Sequence, residues 1–214
     1  INNILIDQDT DKALCVIDLD TVMPGSSLYD FGDAIRFCAS TAAEDEPDTS
    51  KISLDMRAFR LFTEGFLSET NGFLTEEELR NLPLGVLVIT CELAMRFLTD
   101  YMDGDIYFKV RSPEHNLVRT RAQMALLEDM EAKYDDTTTR RFYNFVASVA
   151  ADRAGRVAGA EDEIEFFFER RRMMGSIVKM LEKGDIPYRV THNDTKINNI
   201  LIDQDTDKAL CVID

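Results

Sequence analysis

The chain carries the same eighteen residues twice. INNILIDQDTDKALCVID occupies positions 1–18 and returns at 197–214 without a mismatch. A solenoid repeats throughout and its repeats diverge. Here nothing between 19 and 196 resembles the unit, so the 214 positions, less the 18 repeated, hold 196 distinct ones. Each copy reads as a β-hairpin. Ile4-Leu5-Ile6 and Ala13-Leu14-Cys15-Val16-Ile17 are short β-prone runs, and Asp7-Gln8-Asp9-Thr10-Asp11-Lys12 between them is turn material.

Composition narrows the classes. Forty acids against 24 bases give a formal charge of −16, which disfavours nonspecific nucleic-acid binding and attachment to anionic membranes. A phosphate-bearing substrate then needs a metal ion or a local cation cluster. No apolar run reaches the roughly 18 residues a spanning helix needs, and no signal sequence opens the chain. An apolar share of 45% is ample for a core. Cys15 and Cys211 are one position counted twice. With Cys38 and Cys91 they make three scattered cysteines without a C-x-x-C, read as reduced thiols of a cytoplasmic protein.

Beyond the hairpin the pattern is mostly helical. Val22 to Ser27, through Met23-Pro24-Gly25, is loop chemistry. Ile52, Met56, Phe59, Phe62 and Phe66 recur at spacings of three and four and make one apolar stripe. Thr75-Glu76-Glu77-Glu78 is a capping box, with Pro83 and Gly85 interrupting the helix it opens. Val86–Leu98 is apolar nearly all round, hence a central buried helix. Pro113 opens another, with Leu117, Met124, Leu127 and Met130 on one side. Asp135–Thr139 reads as a linker, and a helix is predicted around Phe142–Ala151. A long amphipathic helix is predicted over about 161–182, stopped by Gly184. Its Arg170-Arg171-Arg172 run reads as a solvated face. His115 reads as a surface residue, and Tyr188-Arg189-Val190 as a short strand. The sum is a mainly α domain with a small β-hairpin.

That strand enters His192-Asn193-Asp194-Thr195-Lys196-Ile197-Asn198-Asn199, an H-x-D-x-K-x-x-N pattern. Phosphoryl transfer to a hydroxyl uses such parts. Asp194 can accept the hydroxyl proton and orient the nucleophile, and Lys196 can offset charge on the transferred group. Asn199 can bind Mg²⁺ through its amide oxygen, and His192 braces the loop. Asp214, in Val212-Ile213-Asp214, is placed to be the second metal ligand. Asn3 and Asp18 are the same two positions in the other copy.

These motifs resemble the protein-kinase-like phosphotransferases of the aminoglycoside phosphotransferase and choline kinase type. Residues 191–214 read on into 19–25, THNDTKINNILIDQDTDKALCVID then LDTVMPG, look most similar to N-acetylhexosamine 1-kinases, as do Asp30–Arg36 and Phe97–Asp105. The resemblance implies a kinase C-lobe with ATP as phosphate donor, Mg²⁺ as cofactor and a sugar as acceptor. No nucleic acid and no membrane is implied as a partner. It further implies that Arg96 and Tyr107 line the sugar side, where a surface ion pair and a core tyrosine are the plainer readings. Asp30 and Asp33 either support the catalytic loop or simply complement the N-terminus of a helix.

The order departs from the family. In the family the segment like 137–196 precedes the catalytic loop and the segment like 19–135 follows it. This chain runs 19–135 first, so it reads as a circularly permuted C-lobe, a single domain whose family order is 137–214 then 19–135. No G-x-G-x-x-G occurs and no strand resembles the one bearing the ATP-binding lysine, so the N-lobe reads as absent and activity as weak. Two identical hairpins competing for one place also predict strand-exchanged homodimers. Two rivals stand beside the kinase. One is a non-catalytic permuted fragment. The other is a D-x-D-x-T phosphatase, from Asp18-Leu19-Asp20-Thr21, which lacks the closing Asp of its late motif at Gly32–Phe37 and needs a parallel sheet.

Overall fold

The structure, a computed structural model, describes residues 4–6, 13–16, 21–70, 72–133, 149, 152–191, 200–202 and 209–212. It is mainly helical. The α-helices among the described residues are α1 (Ser27–Cys38), α2 (Met56–Glu69), α3 (Glu76–Asp103), α4 (His115–Glu131), α5 (Glu161–Glu169) and α6 (Ser176–Lys183). Strands β1 (Ile4–Ile6), β2 (Ala13–Val16), β3 (Met23–Gly25), β4 (Arg189–Thr191), β5 (Ile200–Ile202) and β6 (Ala209–Val212) make three two-stranded antiparallel sheets. No parallel pair occurs among the described residues.

The repeated unit folds the same way twice. Ile4 pairs with Val16, Leu5 with Cys15 and Ile6 with Ala13; Ile200, Leu201 and Ile202 repeat that register against Val212, Cys211 and Ala209. Even the irregularity after the second pair recurs. Both copies therefore form hairpins, and β2 lies beside β6 with no hydrogen-bonded ladder between them.

Helix α3 is the spine. Its capping box is present as the sequence predicts, with Thr75 Oγ1 accepting the Glu78 N–H and the Glu78 carboxylate accepting the Thr75 N–H. The predicted interruption at Pro83 and Gly85 does not occur, since the helix runs unbroken through both. Proline lacks the amide that would reach back to Leu79, a local loss that burial of Leu82, Leu84, Val86 and Leu87 outweighs. Gly85 is there for closeness. A Cβ on it would stand 2.2 Å from the Leu28 carbonyl oxygen, and one on Gly32 would stand 2.4 Å from the Gly85 carbonyl oxygen. Helices α1 and α3 thus cross backbone to backbone. Phe59, Phe62 and Phe66 of α2 gather around the buried Phe31 ring, at centroid distances of 6.2, 6.0 and 5.1 Å.

Four further expectations need correction. Residues 23–25 are a strand rather than loop, paired with β4, and Ser26 caps α1. Pro24 is tolerated because the ribbon is only two strands wide. The helix predicted over 161–182 is two helices, parted by a 3₁₀ turn at Arg170–Arg172 and by Gly175. The reason lies in the arginine run. Arg170 turns inward, grips Glu131 through two hydrogen bonds of 2.8 and 2.6 Å, and covers the Phe166 ring at 3.5 Å. His115 is buried rather than superficial. Its Nδ1 accepts the Arg111 N–H at 3.1 Å, so the ring proton sits on Nε2, 3.1 Å from Asp45 Oδ2. Finally, α3 is by length and composition apolar enough to cross a membrane, with a mean hydropathy of 1.6 over its best window. Within the fold 72% of that window is buried.

The predicted linker at Asp135–Thr139 and the helix around Phe142–Ala151 lie outside the described residues, apart from Val149, which is helical.

Candidate functional site

A cavity lies at the C-terminal end of α3. It encloses about 580 Å³ and is lined by Met95, Arg96, Thr99, Asp100, Asp103, Ile106, Tyr107 and Phe108. The two residues placed on the sugar side, Arg96 and Tyr107, come together here. The Arg96 guanidinium stands 5.6 Å from the Tyr107 ring centre and 5.5 Å from that of Phe108. Tyr107 is no core residue, since 74% of it is exposed. It meets Phe108 edge-on at 4.8 Å, and Phe108 tilts against the buried Phe97 at 4.7 Å. A partly buried arginine resting on an aromatic wall offers flat apolar surface and directed N–H donors in one place, a combination suited to a small polyhydroxylated ligand.

The wall is fastened by a residue to which the sequence assigns no role of its own. Asp100, buried in the last turn of α3, accepts the backbone N–H groups of Ile106, Tyr107 and Phe108 at 2.9, 2.7 and 2.9 Å. Its Oδ2 also accepts the Asn116 side-chain amide at 2.9 Å. Gly104 ends α3 with φ +98°, and Asp105 follows at φ +60°, which turns the chain back over the helix end. Arg156 completes the knot. Its Nη1 donates to the Tyr101 carbonyl and to Asp105, both at 2.6 Å.

A second tie lies at the other end of α3. Glu78 is fully buried, and its two carboxylate oxygens take Ser27 Oγ of α1 (3.0 Å) and Arg189 of β4 through Nε (2.9 Å) and Nη2 (2.7 Å). Burial alone would raise this carboxyl. The hydrogen bonds from Arg189, from the Thr75 amide and hydroxyl and from Ser27 outweigh it and hold Glu78 down at about 2. Arg189 also covers the Phe73 ring at 4.1 Å. The strand that leads into residue 192 is therefore clamped to the N-termini of α1 and α3. Thr191 Oγ1 adds a bond to the Met23 carbonyl at 3.1 Å.

The carboxylates of α1 have local roles. Asp30 lies in the first turn, where its charge complements the helix N-terminus. Asp33 accepts Arg36 Nε at 2.9 Å, and that buried arginine also reaches Glu44 and Gln123. His192, Asp194, Lys196, Asn199, Asp214, Asn3 and Asp18 all lie outside the described residues. Among the described residues no group of three His, Cys, Asp or Glu side chains could hold a metal ion. The thiols of Cys38 and Cys91 are not activated. Burial pushes Cys38 up to about 11 and raises fully buried Cys91 as well.

No family model matches the chain.

Proposed function

We propose that the chain is a permuted kinase-type lobe of weak activity that transfers a phosphoryl group from ATP to a small hydroxyl, most naturally the anomeric hydroxyl of an N-acetylhexosamine. One observation carries the reading. Strand β4 runs into the motif at 192–199, strand β3 follows the 1–18 copy of the hairpin, and the two strands form one ladder. Read in permuted order, one motif and one hairpin lie between them, and the ladder closes that segment as a kinase-type loop requires. The cavity at Arg96 and Tyr107 adds support, since residues assigned to the acceptor from resemblance share one pocket.

Asp194 takes the proton of the acceptor hydroxyl, the oxygen bonds to the γ-phosphorus, and the bond to the β-phosphate oxygen breaks to release ADP. Lys196 offsets charge on the moving group, and His192 holds the loop. Mg²⁺, when bound, supplies neutralisation of the β- and γ-phosphates. Asn199 with Asp214, or Asn3 with Asp18, would hold it, and an amide oxygen with a carboxylate is the hard oxygen set this ion takes. Arg96 and Tyr107 would orient the sugar.

The test is calorimetric titration with ATP and Mg²⁺, followed by ADP release on an N-acetylhexosamine. Asp194→Asn should cut turnover by about 10²-fold or more with the melting temperature unchanged. No heat and no ADP would leave a non-catalytic lobe and end this reading.

A further inference from the structure

The loop between α3 and α4 is held at its two ends by different chemistry. Its first part, residues 106–108, hangs on the Asp100 carboxylate. Its last part hangs on His115. That ring is buried at the start of α4, and its Nδ1 accepts the Arg111 N–H at 3.1 Å. Between the two, Arg119 Nη1 donates to the Lys109 carbonyl at 3.3 Å.

The His115 end is sensitive to a proton. A neutral imidazole has one acceptor nitrogen, and an imidazolium has none. Imidazole is also the side chain that ordinarily changes charge between about pH 5 and 8. The surroundings give a charged ring a partner. Nε2 stands 3.1 Å from Asp45 Oδ2, and Arg111 Nη1 reaches the same oxygen at 3.2 Å. The hydrogen bond from His115, helped by the Arg111 charge, holds Asp45 below the usual carboxylate range, so Asp45 is still ionised when the ring gains its proton. Among the described residues, the charged groups in contact with the ring or with Asp45 are these. Their charged neighbours are engaged elsewhere, Glu44 by Arg36, Glu46 by Lys51 and Arg119 by Lys109 and Asn116, while Glu114 is exposed.

We propose that His115 is a proton-operated latch on the loop that walls the cavity at Tyr107. Neutral, the ring holds the far end of the loop through the Arg111 amide. When Nδ1 takes a proton from solvent, that acceptor is lost, two donors face each other, and the main chain at Arg111 comes free. Nε2 stays on Asp45, now as an ion pair. Residues 106–108 stay tied to Asp100, so the loop loosens from one end only. The device rests on these contacts and not on phosphoryl transfer.

The test is an NMR titration of the intact chain. The chain has two histidines, so the ring signals that persist in His192→Gln belong to His115. The uncharged ring should carry its proton on Nε2. The Arg111 amide should shift with the ring's midpoint. Its protection from exchange, taken against an unfolded chain at the same pH, should fall about tenfold across that midpoint. The Tyr107 amide should keep its protection. Asp45→Asn removes the carboxylate that favours the charged ring, so the ring's midpoint should move to lower pH and that of Arg111 should move with it. The proposal is overturned if the uncharged ring carries its proton on Nδ1, if the Arg111 amide ignores the ring's midpoint in either protein, or if Tyr107 loosens together with Arg111.

Discussion

Glu78 accepts five hydrogen bonds while withdrawn from water, from Ser27, from the amide and hydroxyl of Thr75 and twice from Arg189. Its carboxyl falls from the ordinary 4.5 to about 2, which is worth on the order of 3 kcal/mol at neutral pH. A depressed carboxyl gives stability that is whole above its unfolded value and disappears as pH falls through the folded one. Glu78→Gln should therefore be markedly less stable than the parent at pH 7, with the gap in urea midpoints closing between about pH 4.5 and 2. Asp100 makes a second case. Asp100→Asn keeps one acceptor oxygen and loses the other, so amide exchange at Ile106, Tyr107 and Phe108 should quicken by about tenfold or more, at a cost of roughly 1–3 kcal/mol. The capping-box spacing made the Thr75–Glu78 pair legible from sequence. Its partner Arg189 was not, because periodicity reports neighbours within a helix and not an arginine 111 positions away. Arg96 and Tyr107 were found through resemblance alone, and their shared pocket depends on a turn that no local pattern encodes.

At the scale of elements, glycines separate packing from propensity. Gly85→Ala would drive a methyl into the Leu28 carbonyl, so overpacking of about 1–3 kcal/mol should exceed the gain in helix propensity and lower the melting temperature. Gly65→Ala in α2 meets nothing within 4 Å and should raise it, by up to about 1 kcal/mol. Thermal melts of the two variants, moving in opposite directions, check the α1–α3 crossing. Read without the fold, both are simply glycines in helical pattern. The same limit explains Pro83, which reads as a stop because its local cost is visible and the burial around it is not. The break at Arg170 was missed for the converse reason. The amphipathic period continues across it, and only the distant Glu131 makes the arginine turn in.

For the whole molecule, the repeat was the most legible feature and the hairpins it predicts are both present. What sequence could not supply is the ladder that brings residues 23–25 and 189–191 together across the chain. With two copies of one hairpin sequence competing for one place in each molecule, we propose that at high concentration chains exchange strands and dimerise. Sedimentation should show a dimer fraction that grows with concentration. A single monomer boundary at every concentration would contradict it. The knot at Asp100 has a different consequence. It holds residues 106–108 by their main-chain amides alone, which every residue but proline possesses. The exposed side chains of Ile106 and Tyr107 are then at liberty to change in descent without loosening the scaffold, while Phe108 is also held by its ring against Phe97. A lineage built on this frame can alter its taste in ligands one letter at a time.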